Sequence, residues 1–149
     1  MKYSLLILAL VTCSATAGQQ WTVSDTCESI SVTNVMQDTY TRYTLEATHQ
    51  KDGHLYPMLH VMDLRKKLGV PKSIPAMPVT ANGMDGKWVG VHQIGIYTLY
   101  ATSEQMDNLI MSDLQQGKDV TFEWQGKVQT FTAKGYRDAL AKLNNCYKL

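Results

Sequence analysis

The chain has 149 residues, 44% of them apolar and 18% charged, with 14 basic against 13 acidic side chains and three cysteines. Balanced charge argues against a polyanion binder, which needs a basic excess or stripe, and ordinary apolar content with dispersed aromatics argues against a disordered tail. The length suits one domain able to bury about two thirds of its unfolded surface.

The first residues read as a targeting segment. Met1-Lys2-Tyr3-Ser4 is a short basic head, Leu5 to Val11 is an unbroken apolar run, and Ala15-Thr16-Ala17 supplies the small-x-small pattern that the shallow pockets of a signal peptidase accept. An apolar helix of that length reaches only about 10 Å, against about 30 Å for a bilayer core, and no later stretch approaches a span. The expectation is cleavage after Ala17, an exported domain over 18–149, and a periplasmic or extracellular location. The competing reading is a lipid-anchored envelope factor. Leu10-Val11-Thr12-Cys13 loosely resembles a lipobox, although Thr12 is bulkier than the residue usual before the cysteine.

Cleavage would remove Lys2 and Cys13, leaving a neutral chain with Cys27 and Cys146. In an exported protein an isolated pair is expected to be bridged. The bridge would close a loop of about 120 residues and contribute on the order of 4–5 kcal/mol in the chain-entropy treatment. Neither cysteine has a histidine beside it in sequence, and no Cys-x-x-Cys spacing occurs, so neither a catalytic thiol nor a metal site is indicated.

Along the exported chain, Trp21 to Val35 is rich in β-branched residues and reads as extended. Tyr40 to His49 alternates as a strand, Lys51-Asp52-Gly53 is a turn, and Leu55 to Met62 returns as a second strand. Pro57 lacks a ladder donor, so that strand is expected at an edge or after the proline. Asp63 to Leu68 suits one or two helical turns. The stretch 69–86 holds Pro71, Pro75 and Pro78 with Asn82-Gly83 and Asp85-Gly86, and reads as a long surface loop. Lys87 to Ala101 is long for one strand, with Gly90 and Gly95 offering bulges or bends. Thr102-Ser103-Glu104-Gln105 fits a capping box, Met106, Leu109, Ile110 and Leu114 follow at helical spacing, and Gly117 closes the helix. Asp119 to Trp124 alternates, Gln125-Gly126 makes a hairpin turn, Lys127 to Lys134 is the return strand, and Tyr136, Ala139, Leu140 and Leu143 form one stripe of a terminal helix. The fold class is therefore α+β: an antiparallel β-rich, sandwich-like domain with two amphipathic helices in its C-terminal half.

Chemistry-bearing patterns are sparse. His49 and His54 flank the turn at 51–53 and, with Asp52, offer a divalent-metal alternative, but the spacing matches no recognised metal site and exposed hairpin histidines are the simpler reading. His92, in an apolar stretch, is read as a strand residue. Glu104, Asp107 and Asp113 suit the polar face of the first helix, and Arg65-Lys66-Lys67 suits a solvated face. No nucleophile elbow, phosphate loop or dinucleotide fingerprint occurs. Aromatic side chains are enriched at contact surfaces, and Tyr40, Tyr43 and Tyr56 join His49, Asp52 and His54 as interaction candidates on the hairpin 39–62, with 69–86 as a second candidate segment.

The C-terminal block, from the helix over 106–117 through Asp119-Val-Thr-Phe-Glu-Trp124 and Phe131-Thr-Ala-Lys-Gly-Tyr136 to Ala139-Leu140 and Cys146, resembles the invasion-associated locus B family. It is also similar to the end of type VI secretion accessory proteins of the periplasm, and Trp21 with Cys27 is similar to the family's opening. The resemblance covers about 100–146 plus that short match, and implies a β-rich periplasmic domain whose last helix is pinned by a disulfide, with no catalytic residues to carry over. The functional expectation is an exported, non-catalytic binding or accessory protein acting through surface contacts, in one version an inhibitor or immunity-type protein. It takes no cofactor, its partner is another envelope or secreted protein, and nucleic acid is not a partner. The alternative is an envelope metal protein or enzyme using His49 and His54.

Overall fold

Alternating apolar residues build the strands of a computed structural model that describes residues 19–36, 40–63, 65 and 70–146. The expected targeting segment, with Cys13, lies outside the described residues, as does most of the helical turn expected over 63–68. The strands are β1 (Thr22–Val23), β2 (Ser29–Val35), β3 (Thr41–His49), β4 (Leu55–Asp63), β5 (Lys72–Ala81), β6 (Met84–Gln93), β7 (Ile96–Ala101), β8 (Val120–Trp124) and β9 (Lys127–Phe131). Helices α1 (Glu104–Gln115) and α2 (Tyr136–Cys146) complete the described elements. The α+β, antiparallel β-rich class with two helices in the C-terminal half is the one observed. Among the described residues the strands form one sheet in the order β1-β2-β3-β4-β7-β6-β5-β8-β9, with every pairing antiparallel.

The sheet curls until its two ends meet. The Gln19 side-chain amide donates from Nε2 to the Thr130 carbonyl at 3.1 Å, while its Oε1 accepts the Thr132 N–H at 2.9 Å. Trp21 Nε1 donates to the Thr132 carbonyl at 2.7 Å, and Asn34 Nδ2 to Gln129 Oε1 at 2.9 Å. Side chains therefore cover an edge that would otherwise be an open template for pairing. Inside the curl lie Trp88, Phe122, Phe131, Leu45, Leu59 and Val32, all essentially inaccessible. Edge-to-face ring pairs bind Trp88 to Phe122 and Phe122 to Phe131. Met106, Ile110 and Leu114 from α1, and Tyr136, Ala139 and Leu143 from α2, join the same core. Each large side chain so buried contributes about 1.5–3 kcal/mol.

The segment 69–86 is not a loop. It holds all of β5 and the start of β6, joined at Asn82-Gly83, where both residues have positive φ. Its prolines fit because of where their missing donors fall. Pro75 lies where the register shifts between Ile74 and Met77. Pro78, counted from the two-residue turn, occupies a position whose nitrogen faces away from β6, past Thr80 where the pairing with β8 ends. Pro57 uses the same device. β4 is an interior strand, but β7 pairs it only over Leu59–Met62, so Pro57 sits beyond that pairing.

Lys87 to Ala101 divides into two strands at Ile94-Gly95, both with positive φ. Gly90 lies within β6, where only glycine fits, since a Cβ there would run into the Thr98 carbonyl. The cap of α1 is Ser103, whose hydroxyl accepts the Met106 N–H at 3.2 Å; Thr102 instead donates to the Lys87 carbonyl. β9 ends at Phe131, before the expected Lys134. The Cys27–Cys146 disulfide is present, with Cα atoms 5.8 Å apart, and fixes the β1–β2 connection to the end of α2. No helix among the described residues is long and apolar enough to cross a membrane.

Candidate functional site

At the end of the curl away from α1 and α2, the core does not close. A cavity of about 630 Å³ is lined by Tyr43 of β3, Val61 of β4, Ile74 and Met77 of β5, Tyr97 and Leu99 of β7, Trp124 of β8 and Met36 after β2. Strand alternation explains why these residues converge: each continues an inward-facing series, such as Leu45 to Tyr43 or Phe122 to Trp124. Trp124 is held edge-to-face against Tyr43, with ring centroids 5.6 Å apart. Tyr97 is backed by a stacked His92 ring at 4.2 Å.

The described lining also includes polar side chains: Thr41, Asp63, Arg65, Gln125 and Lys127. Arg65 donates from Nε and Nη2 to the two Asp63 carboxylate oxygens at 3.0 and 3.3 Å, and its guanidinium lies 5.9 Å over the Tyr40 ring. Lys127 stands directly opposite Trp124 in the β8–β9 register and so shares its inward face, at the hairpin end where the chain is exposed. Among the described residues Lys127 has no ion-pair or hydrogen-bond partner for its ammonium.

The hairpin candidates separate into two groups. Tyr43 lines the cavity, and Tyr40, 52% exposed, lies beside it under Arg65. His49, Asp52, His54 and Tyr56 lie toward the other end of the same hairpin, about 20 Å along the strand from Tyr43 to His49. There Asp52 accepts the His54 backbone N–H at 2.9 Å, and the His49 ring meets the Gly53 carbonyl at 3.2 Å. Among the described residues, no group of three or more His, Cys, Asp or Glu is placed to hold a metal.

A second polar constellation crosses the outer face of the sheet. His60 Nε2 is 2.7 Å from Glu46 Oε2, and its Nδ1 is 3.0 Å from Thr98 Oγ1. The hydrogen bond from His60 holds the Glu46 carboxyl below its ordinary range against the opposing effect of burial, with help from Ser29. With Glu46 ionised, Nε2 donates to it, and in a neutral ring Nδ1 accepts the Thr98 hydroxyl. The order is that of a nucleophile relay. However, Thr98 lies in mid-strand, paired to His60 on one side and Val91 on the other. Backbone N–H groups around it are committed to ladders, leaving no donors for an oxyanion. The arrangement is a polar ladder across strands.

Sequence reasoning did not single out Trp124, Met77, Ile74, Val61 and Lys127, although Val61 lies in the candidate hairpin 39–62 and Ile74 and Met77 in the candidate segment 69–86, because four strands, β4, β5, β8 and β9, bring them together and no local spacing marks them. Ile74 and Met77 were the available signal: apolar side chains within a proline-rich stretch. Comparison with known protein families, curated proteins and solved structures finds no match to this chain.

Proposed function

We propose that the protein is an exported, non-catalytic binding protein, and that its contact site is the cavity bounded by Tyr43, Met77 and Trp124. The observation that carries this reading is the lining: among the described residues, eight apolar or aromatic side chains, with five polar ones among and around them. A concave apolar volume within about 300–1,000 Å³, with few polar groups, has the composition of a ligand site. The mouth of a curled sheet is a usual place for one. The Cys27–Cys146 bridge supports an oxidising compartment, in keeping with the signal-like segment before Gly18 and with the resemblance to periplasmic accessory proteins. The protein thus meets its partner in the envelope or outside the cell, and acts by enclosing an apolar group that the partner offers.

The test is titration with the uncharged fluorophore N-phenyl-1-naphthylamine, which brightens in apolar sites. Saturable one-to-one enhancement is expected, and it is expected to disappear when the cavity is filled by Met77→Trp or Val61→Trp in a variant that keeps the wild-type circular dichroism. Absence of saturable enhancement in the wild type, or its survival in a folded cavity-filled variant, would overturn the reading.

A further inference from the structure

Building on the cavity reading, we infer that the ligand is a single-chain amphiphile with a carboxylate head: the tail occupies the cavity and the head lies at Lys127. The charges around the mouth make the case. Among the described residues of the lining, the charged ones are Asp63, Arg65 and Lys127, one carboxylate against two cations. Arg65 commits two donors to Asp63, so the Arg65 charge already has a carboxylate partner. Lys127 is left as the uncompensated charge among the described lining residues. The neighbouring Glu123 belongs to the exposed series of β8 and does not line the cavity.

The position of Lys127 matters as much as its sign. Directly opposite the buried Trp124, it starts on the inward face, while its exposed end reaches water. A lysine so placed lays its methylene stem along apolar surface and keeps its ammonium at the boundary. That boundary is where the head of an amphiphile sits when its tail is inside. An uncharged tail would gain the apolar lining but no head contact, and a cationic head would be repelled. The cavity's moderate size suits one chain rather than a two-chain lipid.

The experiment displaces the naphthylamine probe from the full exported chain with dodecanoate, dodecan-1-ol and dodecyltrimethylammonium. The two ionic compounds are used below their micellar concentrations and the alcohol below its aqueous solubility, at neutral pH and low salt. Dodecanoate is expected to displace the probe at about two- to fivefold lower concentration than the alcohol, as befits one partly exposed charge pair, with the ammonium weakest. Lys127→Met should bring dodecanoate to the level of the alcohol without changing the alcohol, and Lys127→Arg should retain the preference. Equal displacement by carboxylate and alcohol in the wild type, or a carboxylate preference that survives Lys127→Met, would overturn the inference and leave the cavity reading standing. Failure of the probe and all three compounds to bind would overturn both.

Discussion

The side-chain amide of Gln19 pairs with the β9 backbone as a strand would, donating to the Thr130 carbonyl and accepting the Thr132 N–H. One side chain thereby satisfies backbone groups at the seam where the two ends of the sheet meet. Gln19→Ala should cost about 1–3 kcal/mol, the range for leaving such groups without a partner. Hydrogen exchange should report the loss locally, with faster exchange at the Thr132 amide and little change at the amides of β3. Unchanged Thr132 protection would show that the clamp does not hold the seam.

The disulfide joins residues 119 apart in sequence, and through them the start of the sheet to the last helix. Cys27→Ala/Cys146→Ala should lower the unfolding free energy by about 4 kcal/mol, the chain-entropy value for so long a loop, measured by urea denaturation. A reductant should bring the wild type to the same midpoint.

Glu46 and His60 predict a pH signature. The Glu46 carboxyl is held below its ordinary range, first by the His60 hydrogen bond. A depressed folded-state pKa contributes stability that is present above the ordinary carboxylate range and lost as pH falls through the lowered value. Glu46→Gln should therefore cost about 1 kcal/mol at neutral pH. The difference from wild type should shrink in acid, as read from thermal unfolding across pH.

Asp107 predicts the opposite sign. Burial, and secondarily Glu104, pushes its carboxyl up to about 6. Its Oδ1 is buried without a hydrogen-bond partner among the described residues. A raised folded-state pKa makes stability fall as pH rises from the ordinary aspartate range through about 6. Asp107→Asn should thus stabilise the protein above that pH and not below the ordinary range. The position in the first turn of α1 favours a charged carboxylate, which limits the gain to about 1 kcal/mol. Equal effects of the variant at both ends of the pH range would contradict this account.

Much of the fold was legible in the chain because its signals are local. Alternation marked β3 and β8, Gln125-Gly126 marked a tight turn whose two residues both have positive φ, and the Tyr136, Ala139 and Leu143 stripe faces the core as its spacing implies. The failures also have local causes. Prolines in 69–86 suggested a loop, yet a proline is compatible with a strand wherever its nitrogen faces no partner, and that depends on how far β8 and β7 extend. Such extents are tertiary facts. The candidate site was less legible still. Tyr43 was identified for its aromatic surface near a turn, but the cavity depends on β5 and β8 arriving beside it, and Lys127 acquires its meaning only from standing opposite Trp124.

The most direct test of the cavity as the binding site is the ¹³C-methyl spectrum of the protein labelled at methionine, recorded with and without dodecanoate. Met36 and Met77 line the cavity, whereas Met106, on α1, is buried with its methyl group against Gly86 and serves as an internal control. The account predicts saturable shifts of the Met36 and Met77 methyl resonances while that of Met106 stays in place. Unmoved Met36 and Met77 signals at ligand concentrations that saturate binding would contradict it.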